Sequence, residues 1–225
     1  MSLVKSRWLT IKTDYNTSEI FKCISLNEYT QESKAGFIDV INIEETIEAT
    51  FVEEITLTQY ILDPYGNETE QQVNSFNHID FRFIENKYIE IFQPPRSIKN
   101  LTQFLSKIFN HNLFIGNFKI DINKALDKAK NYSDSLHLKK VRVSGLKIGE
   151  KGLATVEVKS SQDALKDLHV LSKKSNYKLD KVSGTISIDR DKFDFEISNQ
   201  GQLSYDEDFH DKFIDIFIMN DFIKE

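Results

Sequence analysis

The sequence predicts an α+β fold: a β-rich N-terminal antiparallel sheet, then a mixed part with two strand–helix–strand units and a C-terminal helix. Three observations carry this prediction. Residues 3–92 show period-two alternation and β-branched runs broken by turn residues. Residues 88–190 twice repeat the order strand, break, helical spacing, strand. Residues 206–224 are apolar at helical spacing around most of their circumference. The division implied is 1–87 for the β-rich part and 88–225 for the mixed part.

In the first part Trp8, Thr10 and Lys12 alternate with Leu9, Ile11 and Thr13, and Ile20 to Leu26 reads as a second short strand. Phe37 to Ile43 and Thr46 to Leu62 follow as strands. Asp63-Pro64-Tyr65-Gly66-Asn67 has the Pro and Gly placement of a tight turn. A polar stretch to Gln72 then leads into Ile79–Ile84, and Glu85-Asn86-Lys87 turns the chain into Tyr88–Phe92.

Pro94-Pro95 ends the strand texture, because neither residue can donate to a ladder. Ser97 is placed to cap a helix whose face carries Ile98, Leu101, Leu105 and Ile108. Phe114 to Ile122 reads as a strand, Asn123 to Lys130 as a short helix, and Leu136 to Ile148 and Leu153 to Val158 as further strands. Ser160-x-x-Asp163 resembles the start of a capped helix carrying Leu165, Leu168 and Leu171. Lys181–Ile188 and Phe193–Ser198 form a strand pair, and Asp206 opens the last helix. Ile89 and Ile91 match Val156 and Val158 at the same offset that matches Ile98 and Leu101 to Leu165 and Leu168. The offset fits either a duplicated element or the coincidence of a common pattern.

At 225 residues, 40% hydrophobic and 28% charged, the chain can bury a sizeable core and falls outside the disordered class. No apolar run reaches the roughly 18 residues of a membrane span, so no membrane partner is expected. No secretory leader is visible and Cys23 is alone, which together point to a cytoplasmic protein.

The net charge of −6 conceals a segregation. Residues 1–94 hold 7 Lys/Arg against 16 Asp/Glu, residues 95–185 hold 18 against 8, and residues 186–225 hold 4 against 11. The basic middle therefore either packs on the acidic ends or serves an electrostatic partner, with nucleic acid the first candidate. Its cations cluster at Lys124, Lys128 and Lys130, at Lys139, Lys140 and Arg142, and at Lys173, Lys174 and Lys178. Lys outnumbers Arg, which suits phosphate contact more than the reading of base edges.

Other chemistry is sparse. The five histidines form no close pair, so with one cysteine no zinc site is visible and no cofactor is expected. No phosphate-binding glycine loop or nucleophile elbow occurs. Glu157-Val158-Lys159 resembles the Glu-x-Lys strand of the PD-(D/E)xK nucleases, which implies a divalent metal and an upstream acid, for which the candidates are Asp134 and Glu150. Strand alternation also produces Val-Glu-Val-Lys with both charges facing water. The alternatives to nucleic-acid binding are thus this metal-dependent nuclease and a protein-binding structural subunit. The wide apolar arc of 206–224 needs two surfaces to bury it, either within the chain or across a homodimer.

The order of elements through Phe83-Ile84-Glu85-Asn86, Leu101-Thr102-Gln103-Phe104-Leu105, Gly152–Val158 and Gln200-Gly201-Gln202-Leu203-Ser204 resembles that of the RexA-type phage-exclusion proteins. It is similar, more loosely, to other accessory proteins of antiphage systems. The resemblance implies a DNA-binding, dimeric, non-enzymatic component of phage defence. No catalytic motif comes with it.

Overall fold

A computed structural model describes residues 3–148, 151–172 and 176–218. In chain order its elements begin with β1 (Val4–Lys12), α1 (Thr17–Ser25), β2 (Ala35–Ile43), β3 (Thr46–Leu62), β4 (Glu68–Ile84), β5 (Tyr88–Phe92), α2 (Lys99–Ile108) and β6 (Phe114–Asn117). There follow α3 (Ile122–Tyr132), β7 (Ser135–Ile148), β8 (Gly152–Lys159), α4 (Ala164–Ser172), β9 (Lys178–Ile188), β10 (Asp191–Ser198), β11 (Gln202–Tyr205) and α5 (His210–Phe217). The fold is α+β and rich in antiparallel strands, as the alternation implies. Among the described residues no helix is long and apolar enough to cross a membrane.

Two units emerge, residues 10–116 and residues 1–9 with 117–225. The sequence division at 87/88 falls elsewhere. β5, α2 and β6 group with the first unit because β5 extends the ladder of β4, with Phe81 opposite Ile91, and because α2 sets Phe104 against Phe37 and Phe51.

In the first unit the ladder runs β2, β3, β4, β5 and then the Thr10–Lys12 end of β1. One face carries Phe37, Ile47, Phe51, Phe81 and Phe83, all buried, and α1 and α2 cover it with Ile20, Ile24, Leu101 and Leu105. Ile20–Leu26, expected as a strand, is helical. Asn16 accepts from the Glu19 amide at 3.0 Å while Glu19 accepts from the Asn16 amide at 2.8 Å, and this reciprocal cap starts a helix whose buried residues are four apart. Ser97 is not the cap of α2; Ile98 holds that position with no side-chain bond. The polar stretch to Gln72 belongs to β4 from Glu68 onward. The Asp63 carboxylate accepts from the Tyr65 and Asn67 amides at 2.8 Å, which closes a short loop and lets β4 start at Glu68.

In the second unit the ladder runs β1 (its Val4–Arg7 end), β11, β10, β9, β7, β8, and each neighbouring pair is antiparallel. Leu138, Val141, Val143, Val182, Ile186, Phe195 and Ile197 are buried on one face. Helices α3, α4 and α5 cover that face: α3 packs on β7, β9 and α5, and α4 on β7 and β8, while Phe217 of α5 stacks on Phe195 at 5.3 Å. The strand expected over Phe114–Ile122 stops at Asn117. Asp121 caps α3 by accepting from Asn123 and Lys124. Phe118 is buried against Trp8, with ring centroids 5.8 Å apart. Ser160 accepts from Asp163, but Asp163 itself caps α4 through the Leu165 and Lys166 amides. On this helix Leu168 is buried, whereas Leu171 is 58% exposed.

Both strand–helix–strand elements straddle a third strand. β5 and β6 each pair with β1, and β8 and β9 each pair with β7. Since β8 and β9 are both antiparallel to β7, they are parallel to each other, as a helical crossover requires. The last helix begins as a 3-10 turn at Glu207–Phe209 and continues as α5; the remainder of the expected 206–224 helix lies outside the described residues.

Candidate nucleic-acid interface

The chemistry of the second unit is set by strand parity. Residues directly opposite in an antiparallel pair share a face, so the register traces rows across the sheet. One row runs Lys159, Lys140, Ser183, Glu196, Ser204, Lys5 from β8 to β1. The next begins Glu157, Arg142, Lys181, Ser198, and Arg7 lies opposite Gln202. A third pairs Thr185 with Asp194, and a fourth pairs Ser187 with Lys192. These residues occupy the face that the helices leave open. Five inter-strand spacings separate the ends of the first row, roughly 24 Å.

The open face is cationic. Lys5, Arg7, Lys140, Arg142, Lys159, Lys181 and Lys192 lie on it, and Lys139 reaches in from a bulge between Leu138 and Lys140. Three carboxylates interrupt them, and each is held by a lysine. Asp194 accepts from Lys139 at 2.8 Å and from the Thr185 hydroxyl at 2.6 Å, Glu196 pairs with Lys181 at 2.6 Å, and Glu157 sits 3.6 Å from Lys140 and 3.9 Å from Lys159. The Lys139 and Thr185 bonds hold the Asp194 carboxyl below the usual carboxylate range. Among the described residues Lys5, Arg7, Arg142 and Lys192 have no carboxylate partner. Among the described residues the traced rows hold one ring, His137 opposite Thr185, and no Phe, Tyr or Trp, so the face offers chiefly charge and hydroxyls.

The cations singled out in the sequence do not form one surface. Lys139, Lys140 and Arg142 are on the open face. Lys124, Lys128 and Lys130 lie on α3, in the helical layer across the sheet from them. Lys128 donates to the Asp215 carbonyl at 2.7 Å and lies over the Tyr132 ring, and Lys130 pairs with Asp127. Lys178 starts β9 at the rim of a polar cleft of about 470 Å³, which Lys119, Asp121, Tyr177 and Asn199 also line. Lys173 and Lys174 lie outside the described residues. Lys5, Arg7 and Lys192 join the face although they stand outside the linear clusters of cations. Their signal is the i, i+2 spacing of charge along a strand, as in Lys5-x-Arg7 and Lys140-x-Arg142, which linear clustering does not weigh.

Glu157 and Lys159 face solvent, as alternation implies, and Val156 and Val158 are half-buried beneath them. The surroundings of Glu157 are cationic: Lys140, Lys159 and, directly opposite, Arg142. Asp134 precedes β7 and accepts from the Arg190 amide. It stands eight positions along β7 from Arg142, roughly 26 Å of strand. Asp134 and Glu157 therefore do not converge on one ion, and Glu150 lies outside the described residues. Among the described residues no group of three metal-ligating side chains gathers.

No protein-family model matches the chain, and no curated protein matches it.

Proposed function

We propose that the protein binds nucleic acid without sequence preference, through the open sheet face of its second unit. The observation that supports this most is the set of four cations without a carboxylate partner among the described residues, Lys5 and Arg7 on β1, Arg142 on β7 and Lys192 on β10, in a six-stranded ladder that buries its other face under helices. Lysine-dominated charge, with His137 the single ring in the traced rows among the described residues, favours contact with phosphates over contact with bases. The proposal differs from the sequence expectation in its surface. It takes Lys139, Lys140 and Arg142 and leaves the α3 lysines outside the interface.

The test is fluorescence anisotropy with a labelled duplex of about 20 base pairs, titrated at about 50 and 200 mM salt. Four released counterions give a log–log salt slope of about −3.6 on a duplex, or roughly a hundredfold loss of affinity between those salts. Replacing Lys5, Arg7, Arg142 and Lys192 by Ala should flatten the slope towards zero, whereas Lys124→Ala with Lys128→Ala should leave it unchanged. No binding at low salt, or equal binding by the fourfold variant, overturns the proposal.

Three narrower readings belong with this proposal. A role in phage exclusion is supported only by the resemblance in element order. A cytoplasmic location is supported by the lone Cys23. Homodimerisation through 206–224 rests on the apolar arc; Phe209, Phe213 and Phe217 are already fully buried in the single chain, so light scattering that finds a monomer removes it.

A further inference from the structure

The β3–β4 hairpin is far longer than its sheet. β2 pairs with β3 over Thr46–Glu53 and β5 pairs with β4 over Phe81–Ile84, yet the hairpin continues in unbroken register to Leu62 opposite Glu68. Among the described residues no other strand pairs with β4 from Glu68 to Asp80. The outer edge of β4 is thus open for 13 residues, roughly 44 Å of strand.

Free edges are ordinarily blunted by lysine, proline or a bulge. Residues 68–80 contain no Lys and no Pro, and their ladder with β3 has no register shift. A lone two-stranded ribbon is at best marginally stable in water, so this one gains from a third strand.

The two faces of the ribbon differ. One carries Ile55, Leu57, Ile61 and Val73, brought together by the pairs Ile55–Ser75, Leu57–Val73 and Ile61–Thr69. Leu57, Ile61 and Val73 on that face are exposed. The other also carries exposed apolar side chains, Tyr60, Leu62 and Phe76, but beyond the Glu53–Asn77 pair it alone carries carboxylates: Glu54, which pairs with Lys34, and the exposed Glu68 and Glu70, opposite Leu62 and Tyr60. Charge along this region has one sign: residues 35–81 contain ten Asp or Glu and neither Lys nor Arg.

We propose that the edge of β4 takes up, as an added strand, an extended segment of another protein in which basic and apolar residues alternate. Backbone N–H and C=O groups give the attachment, and alternation gives the selectivity. Side chains of an added strand point alternately to the two ribbon faces, so the basic positions lie beside Glu68 and Glu70 and the apolar ones beside Thr69 and Val73 of β4. A second copy of β4 answers this pattern poorly, because it brings more carboxylates to the edge and no cation.

The experiment uses the full chain and a fluorescein-labelled peptide of about 12 residues alternating Lys and Val, long enough to span most of the free edge. The expected result is saturable binding. It should fall at least tenfold for a peptide of the same composition with its lysines and valines in two blocks, and be lost when alternate backbone nitrogens are methylated. Glu68→Lys with Glu70→Lys, both at exposed positions, should also weaken it at least tenfold with an unchanged melting temperature. Absence of binding, or equal binding of the blocked-sequence peptide, overturns the proposal. So does sedimentation showing that the chain dimerises on its own and that the Glu68/Glu70 variant does not, since the occupant is then a second copy.

Discussion

Arg82 and Glu90 stand opposite each other on β4 and β5, and the guanidinium grips one carboxylate oxygen with two nitrogens, Nε at 2.8 Å and Nη2 at 2.7 Å. Glu90 has no exposed surface, and the Phe92 ring lies 5.3 Å beneath the guanidinium. Arg82 is the one cation in the sequence between Lys34 and Lys87, and it is held by this contact. Apart from Glu54, which pairs with Lys34, the carboxylates of residues 35–81 have no salt-bridge partner among the described residues.

Removing one partner should cost far more than removing both. Arg82→Met leaves a carboxylate buried without its cation and should destabilise the protein by about 3–5 kcal/mol. Arg82→Met combined with Glu90→Leu should recover most of that loss, because an apolar pair of similar volume carries no desolvation penalty. Urea unfolding of the two single variants and the double variant measures the difference. A double variant no better than Arg82→Met alone contradicts this account.

Asp194 should give the open face a measurable acid dependence. Its folded pKa is depressed, first by the bond from Lys139 and then by that from Thr185. The sign follows: the stabilisation is present above the unfolded carboxylate value of about 3.9 and is lost as pH falls through the lower folded value. Both Asp194 and Lys139 are half exposed, so the effect at pH 7 should stay within about 1 kcal/mol. Asp194→Asn should cost that amount at neutral pH and converge with the parent below about pH 3. The same substitution releases Lys139 and should tighten duplex binding in the anisotropy assay. Parallel stability curves for variant and parent, offset equally at all pH, would falsify the linkage.

Truncation after Tyr205 should abolish solubility. It removes Phe209, Phe213 and Phe217, all fully buried, each contributing roughly 1.5–3 kcal/mol. It also strips the rings that cover Phe193, Tyr205 and Phe195, which they meet at 4.5, 4.8 and 5.3 Å. The loss is comparable to the whole stability of a typical domain, about 5–15 kcal/mol. A truncate that stays soluble and melts cooperatively is the contrary result.

Long strands were legible in the sequence because alternation accumulates: Thr46–Leu62 and Leu136–Ile148 were recognisable from pattern alone. Short elements were not. β11 has four residues, too few for periodicity to register. α1 was mistaken for a strand because Ile20, Phe21 and Ile24 fit either period, and the Asn16–Glu19 cap that decides between them is a signal of two residues. The site was legible in part for a different reason. Lys139, Lys140 and Arg142 are neighbours in the chain, whereas Lys5 joins Lys140 only through the pairings β1–β11–β10–β9–β7. That order of strands is set by non-local contacts, which composition and spacing do not encode. Gly184 shows the same limit: it is a glycine because a Cβ there would strike the His137 carbonyl, and that neighbour is known only once β7 and β9 are paired.

β1 also sets a timetable. Its first residues find their ladder partners in β11, with Val4 opposite Tyr205, so a chain emerging from the ribosome holds this segment without that partner until about 200 further residues have been made. Residues 10–116 can assemble much earlier, whereas the second unit closes only after its first and last strands meet. Synthesis at roughly 5–20 residues per second separates those events by some 5–20 seconds. During that interval Trp8, wholly buried in the finished fold, is still an uncovered apolar surface, within reach of any chaperone that binds nascent chains.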